Sequence, residues 1–193
     1  MSTYEDDCVL YDNLITEKSI LRSVPMSDKM WDVIRDKIYV SYKNACIMWI
    51  FEVCNKDLEN DQAALKVQLE DNGPVETLSL FHGTKSYLIE KIASEGFNVT
   101  KNTVSAYGKG TYAAQNANLS VRYVNIDSDA ISYLFLVDML VGRKQIGTKI
   151  KKEIDTNLYD NYVDNITKPS IYVTPYNAGC IPKYVIAFHK NAK

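Results

Sequence analysis

Residues 77–84 read Thr-Leu-Ser-Leu-Phe-His-Gly-Thr, and the rest of the chain is organised around them. Thr77–Phe81 alternates polar and apolar side chains as a half-buried strand does, and it delivers His82-Gly83-Thr84 at a strand end, where side chains often face clefts. Lys85–Ser94 follows as a helix, with Gly96 placed to stop it. Upstream, Asp71-Asn72-Gly73-Pro74 is a turn, Asn55–Glu70 a helix with a charged face, and Cys46–Val53 a short β-branched and aromatic run that reads as a buried strand. Ser27-Asp28 supplies an N-cap for an amphipathic helix carrying Met30, Trp31, Val33, Ile34 and Ile38. Downstream come a polar loop over Asn98–Ala106, a glycine-interrupted strand over Tyr107–Ala114, a helix over Asn116–Val124 and a strong strand over Ile131–Val141. A mostly polar stretch, Arg143–Asn165, precedes two final strands, Ser170–Thr174 and Lys183–His189. Helices early and many strands late predict an α+β fold, a mainly antiparallel sheet with flanking helices.

With 193 residues and 46 % hydrophobic content, the chain has enough apolar material for one domain with a sizeable core, which excludes a disordered or collagen-like protein. Its 24 acidic and 22 basic side chains leave a formal charge of −2 and no global field for a polyanion, so nucleic acid would need a local patch. The densest basic group, Arg143, Lys144, Lys149, Lys151 and Lys152, is followed at once by Glu153 and Asp155 and reads as a solvated loop. Four cysteines without a C-x-x-C pair, and only two histidines, argue against structural zinc, so no metal is expected. The acidic N-terminus lacks the layout of a secretory signal, and Ala45–Phe51 is far too short to span a membrane. The expectation is an intracellular protein, cytoplasmic or nuclear, with free thiols and no membrane partner. Gly108-Lys109-Gly110-Thr111 lacks the spacing of a phosphate loop, and neither histidine accompanies a Gly-x-Ser-x-Gly elbow, which sets aside a nucleotide-triphosphate site and a serine-hydrolase triad.

One ordered constellation remains: Phe81-His82-Gly83-Thr84, Gly96-Phe97, Tyr107-Gly108-Lys109-Gly110-Thr111-Tyr112-Ala113-Ala114 and Ser120-Val121-Arg122-Tyr123. It resembles the catalytic domain of the poly(ADP-ribose) polymerase (PARP) family. The likeness continues through Leu140-Val141-Gly142, Tyr159-Asp160-Asn161-Tyr162-Val163-Asp164 and the closing Pro169–Val173 and Ile181–Ile186. It covers roughly residues 27–190, so the expected division is an N-terminal extension over 1–26 and a catalytic domain over 27–193. The resemblance implies NAD as substrate, held by His82, Gly83, Thr84, Tyr112, Ser120 and Tyr123. Gly83 would let backbone N–H and C=O reach the nicotinamide carboxamide, and Ser120 would add a hydroxyl. Tyr112 and Tyr123 would sandwich the ring, and His82 would hydrogen-bond the ribose 2′-hydroxyl.

Two departures shape the functional expectation. Polymer-forming members carry a glutamate where this chain has Ile171, so the catalytic set is His82, Tyr112 and Ile171. Isoleucine cannot bind ribose hydroxyls or activate an incoming sugar hydroxyl, which implies a mono-ADP-ribosyltransferase acting on protein side chains, the chain itself among the candidates. The loop between Phe97 and Tyr107 is short and lacks an arginine for the pyrophosphate or adenosine side, which implies weak NAD binding. The alternatives are a catalytically silent binding module of the same fold and an enzyme that modifies nucleic-acid ends.

Overall fold

The computed structural model describes residues 20–101, 106–127, 130–149 and 154–190. Its framework is one sheet of nine strands in the order β1-β2-β9-β5-β3-β4-β8-β7-β6. The strands are β1 (Leu21–Ser23), β2 (Ala45–Val53), β3 (Glu76–Gly83), β4 (Thr111–Ala114), β5 (Ile131–Val141), β6 (Lys144–Ile146), β7 (Asn161–Val163), β8 (Ile171–Thr174) and β9 (Cys180–Lys190). Every neighbouring pair is antiparallel except β6 with β7. The α+β architecture with a mainly antiparallel sheet is therefore present, as a single sheet. β1 pairs with β2, so the sheet already begins at Leu21, inside the stretch expected as an extension.

Helix α1 (Lys29–Tyr39) starts where Asp28 accepts a hydrogen bond from the Met30 amide at 2.8 Å, and it buries Trp31, Ile34 and Ile38. α2 (Lys56–Glu70) is capped by Asn55, whose Oδ1 accepts from the Leu58 amide. The helix expected over Lys85–Ser94 is divided into a 3-10 turn, Ser86–Leu88, and α3 (Ile89–Glu95). Gly96 ends α3 with φ +76°, a left-handed backbone that glycine adopts without steric cost. α4 (Ala117–Ser120) is a single turn that passes into a 3-10 segment through Tyr123.

The two faces of the sheet are covered by different helices. Leu134 and Leu136 of β5 pack with Ile186 and Phe188 of β9 beneath Trp31, Ile34 and Ile38 of α1. Their neighbours Tyr133, Phe135, Val137 and Met139 point the other way, into a core with Val185, Ala187 and the Ile89 and Ala93 of α3. Burial on both sides is why β5 is an unbroken apolar run rather than an alternating one. The β5–β9 register slips between Leu136 and Val137, opposite Pro182, whose ring nitrogen cannot donate to the ladder.

Three sequence expectations are corrected. The strand expected from Tyr107 begins only at Thr111, because the Tyr112 hydroxyl accepts from the Tyr107 amide at 2.9 Å and donates to the Gly108 carbonyl, folding that segment back on itself. The polar stretch after Gly142 contains β6 and β7, organised by a buried ion pair. Asp160 accepts from Arg143 Nε at 3.0 Å and Nη2 at 2.7 Å, while Arg143 Nη1 donates to the Asn157 carbonyl at 2.9 Å. Arg143 is thus fixed in place and not part of a solvated basic loop; Lys151, Lys152 and Glu153 lie outside the described residues, as does Cys8. The last strand starts at Cys180, three residues before the expected Lys183.

Candidate active site

β3 and β4 are joined by one residue pair, Phe81 with Ala114, and separate on either side of it. The consequence is a cleft within the sheet rather than on top of it. A cavity of about 940 Å³ opens there, lined by His82, Gly83, Thr84, Tyr112, Ser120, Tyr123 and Ile171 among others. Every residue expected at the site from the sequence lies on this one cavity.

His82 is held on two sides. Its Nδ1 lies 2.6 Å from the Tyr112 carbonyl, and its ring meets Phe97 edge-on with centroids 4.7 Å apart; Phe97 in turn meets Phe135 at 6.1 Å. A carbonyl can only accept, so Nδ1 carries the proton and Nε2 keeps a lone pair. Burial lowers the His82 pKa below its ordinary 6.5, outweighing the Tyr112 carbonyl, which raises it. The ring is neutral at physiological pH.

Gly83 is a glycine because of a close approach: an ideal Cβ there would lie 1.9 Å from the Ser120 carbonyl oxygen. The Ser120 hydroxyl donates to the Phe81 carbonyl at 2.8 Å and is buried, so α4 is bonded to the strand immediately before His82. Tyr123 at the mouth is 54 % exposed, whereas Tyr112 is partly buried and its hydroxyl pKa is raised, chiefly by that burial. Ile171 pairs with Ala114 and, like Tyr107, Tyr112 and Tyr159, packs against the buried cluster of Ile154, Tyr162 and Val173. Asp164 accepts from the Ser170 and Ile171 amides at 2.9 and 3.0 Å, and Asp160 is committed to Arg143, so both nearby carboxylates already serve the backbone around the site.

Residues 32–163 match the model of the poly(ADP-ribose) polymerase catalytic domain. The chain belongs to the PARP catalytic-domain family. Among curated proteins, the human protein mono-ADP-ribosyltransferase PARP14 is 32 % identical over 178 residues, 85 % of this chain and 10 % of that protein. Human PARP12 is 29 % identical, covering 66 % of this chain and 19 % of its own length. Mouse PARP11 is 30 % identical, covering 72 % of this chain and 51 % of its own. The chain therefore spans between a tenth and about half of these relatives.

Part of the cavity was not anticipated. Asp61, Ala64, Leu65 and Gln68 of α2 form one wall, and Lys85, Lys101 and Arg122 supply positive charge around it. The short loop after Phe97 has no arginine, yet cations reach the cavity from α3's approach, from the 3-10 turn Val99–Lys101 and from the segment after α4. The available signal for α2 was a second set of residues, Leu58, Ala64 and Leu65, at helical spacing and apart from the buried Leu69. Among the described residues no three His, Cys, Asp or Glu side chains are placed to hold a metal ion, and no helix is long and apolar enough to cross a membrane.

Proposed function

We propose that the chain is an NAD-dependent mono-ADP-ribosyltransferase that transfers ADP-ribose to a protein side chain. The observation that carries this reading is the convergence of His82, Gly83, Thr84, Tyr112, Ser120, Tyr123 and Ile171 on one cavity in a PARP-family chain.

The nicotinamide carboxamide meets the Gly83 backbone, and the ring lies between Tyr112 and Tyr123. The Ser120 oxygen, whose proton serves the Phe81 carbonyl, offers its lone pairs to the carboxamide N–H group. His82 Nε2 accepts from the ribose 2′-hydroxyl and fixes the sugar; the neutral tautomer set by Tyr112 is the one able to do so. Holding ring and ribose apart favours loss of nicotinamide with its bonding electrons through an oxocarbenium-like transition state, and excluding water reserves that carbon for the acceptor. The acceptor's oxygen then bonds to the anomeric carbon and its proton leaves to solvent.

Ile171 limits the reaction to one addition, since it has no atom to accept a proton from a ribose hydroxyl and neither Asp160 nor Asp164 is among the residues lining the cavity. Lys85, Lys101 and Arg122 serve the pyrophosphate in place of the missing loop arginine. Incubation with adenine-labelled NAD tests the reading: label should appear on protein. Label confined to nucleic acid would support the end-modifying alternative, and intact NAD in the presence of folded protein would support the silent module.

A further inference from the structure

The bond from His82 Nδ1 to the Tyr112 carbonyl, 2.6 Å long, holds one corner of the imidazole. The torsion between Cβ and such a ring is broad, so a bond at one corner leaves the plane free to tilt and to carry Nε2 away from the sugar. A second contact is needed to fix the plane. Phe97 stands where that contact would have to be: its ring meets His82 edge-on, with centroids 4.7 Å apart and planes at 68°.

Phe97 is itself braced by three elements. Phe135, the residue of β5 directly opposite His82 in the ladder, meets the Phe97 ring at 6.1 Å and 74°, so one phenyl group closes over a cross-strand pair. Gly96 sets the direction in which the chain enters Phe97; its φ is +76°, and an ideal Cβ there would lie 2.8 Å from Leu58 Cδ2 of α2. Asn55 Nδ2 donates to the Ala93 and Ser94 carbonyls at 3.1 and 2.8 Å, which ties the last turn of α3 to the start of α2. Phe97 shares a buried cluster with Ile89 and Ala93 of α3, yet it also borders the cavity. Its ring is thus backed by core on one side and set against His82 on the other.

We infer that Phe97 is a positioning residue for the transfer reaction: with the Tyr112 carbonyl holding one corner, its ring fixes the plane of the His82 imidazole so that Nε2 faces the ribose 2′-hydroxyl. The inference rests on the cavity being the NAD site proposed above. An aliphatic side chain can fill the same space but offers no flat ring to set the plane. A His82 ring displaced by about 1 Å would still admit NAD, since the carboxamide contacts at Gly83 and Ser120 lie elsewhere, but it would misplace the sugar as the bond breaks.

The test is steady-state nicotinamide release by the wild type, Phe97→Leu, Phe97→Met and Phe97→Tyr, each first shown to bind benzamide, together with NMR of the His82 ring nitrogens. The chain has two histidines, so His189→Gln identifies the His82 signals. Phe97→Leu and Phe97→Met should lower kcat about tenfold or more while KM for NAD stays within about threefold, and Phe97→Tyr, which restores a ring, should return kcat to within about threefold of wild type. At a pH of about 8 the wild type should show the Nδ1–H tautomer of His82 alone, and the aliphatic variants a mixture of both tautomers. Two aliphatic variants are used so that misfolding of one leaves the other to decide. A lowered Tm with kcat and tautomer unchanged is what a core role alone would give, and that result overturns the inference; so does a Phe97→Tyr protein as slow as Phe97→Leu, or a mixture of tautomers in the wild type. A wild type that binds benzamide and releases no nicotinamide overturns the NAD reading itself, and the inference with it.

Discussion

The Nδ1 of His82 lies 2.6 Å from the carbonyl oxygen of Tyr112, and this bond crosses the place where the sheet divides. β3 and β4 share one residue pair, Phe81 with Ala114, so a side chain bridges the strands where the ladder does not. The same bond assigns the imidazole its tautomer. One contact thus both holds the cleft in shape and leaves Nε2 ready to accept.

That arrangement has a pH signature. Because burial lowers the His82 pKa below 6.5, the folded protein keeps a neutral ring at pH values where the unfolded chain is already protonated. Stability contributed by His82 is complete above 6.5 and declines as pH falls from there toward the folded value. Transfer activity should be flat from pH 8 down to about 6.5 and fall only below it, following protonation in the folded state. Rates measured across pH 5–8 check this, and an acidic limb centred above about 6.5 would be incompatible with the buried neutral ring.

Gly83→Ala should damage folding as well as binding. The added Cβ would meet the backbone oxygen of Ser120 at 1.9 Å, and backbone cannot rotate away as a side chain can. Overpacking of this kind costs roughly 1–3 kcal/mol. The expected outcome is a Tm several degrees below wild type together with loss of the benzamide-induced shift, read by thermal denaturation with and without ligand.

Lys85 and Lys101 line the cavity and form no ion pair among the described residues, so their charge is available to a diphosphate. The double substitution Lys85→Ala/Lys101→Ala should raise KM for NAD by about tenfold and flatten its dependence on salt, while kcat changes by less than about twofold. Steady-state kinetics at low and high ionic strength provide the readout. An unchanged KM would leave the missing loop arginine uncompensated.

Product length follows from Ile171. A side chain without acceptor atoms, in a cavity lined by neither Asp160 nor Asp164, offers no base for a second ribose hydroxyl. Modified protein should run as a discrete band at high NAD and release monomeric ADP-ribose on chemical cleavage. A ladder of attached polymer would show that another carboxylate performs the missing step.

Much of this arrangement is legible in the sequence because local rules and global fold agree. Ser27-Asp28 caps α1, Gly96 stops α3, and the unbroken apolar run from Ile131 to Val141 is the doubly buried β5. The positions around His82 could be named because their motif order is specific to a family. What stayed hidden depends on tertiary bonds. β6 and β7 lie in a polar stretch because Arg143, Asp160 and Asn161 organise it through hydrogen bonds, not apolar periodicity. Tyr107–Gly110 looks like strand because the hydroxyl that curls it back belongs to Tyr112. The α2 wall is polar and exposed at Asp61 and Gln68, so only the sparse apolar set Leu58, Ala64 and Leu65 sets it apart from a solvated face.

Nicotinamide release from wild type and His82→Asn, each first shown to bind benzamide, decides whether this cavity breaks the nicotinamide bond of NAD with the sugar fixed by His82. Asparagine can still donate to the Tyr112 carbonyl but cannot place an acceptor where Nε2 stands. The expected result is steady release by the wild type, matched by label transferred to protein, and a rate lower by about 100-fold or more in His82→Asn with its benzamide binding intact. Release by His82→Asn within about threefold of wild type, or no release by a wild-type protein that binds benzamide, would contradict it.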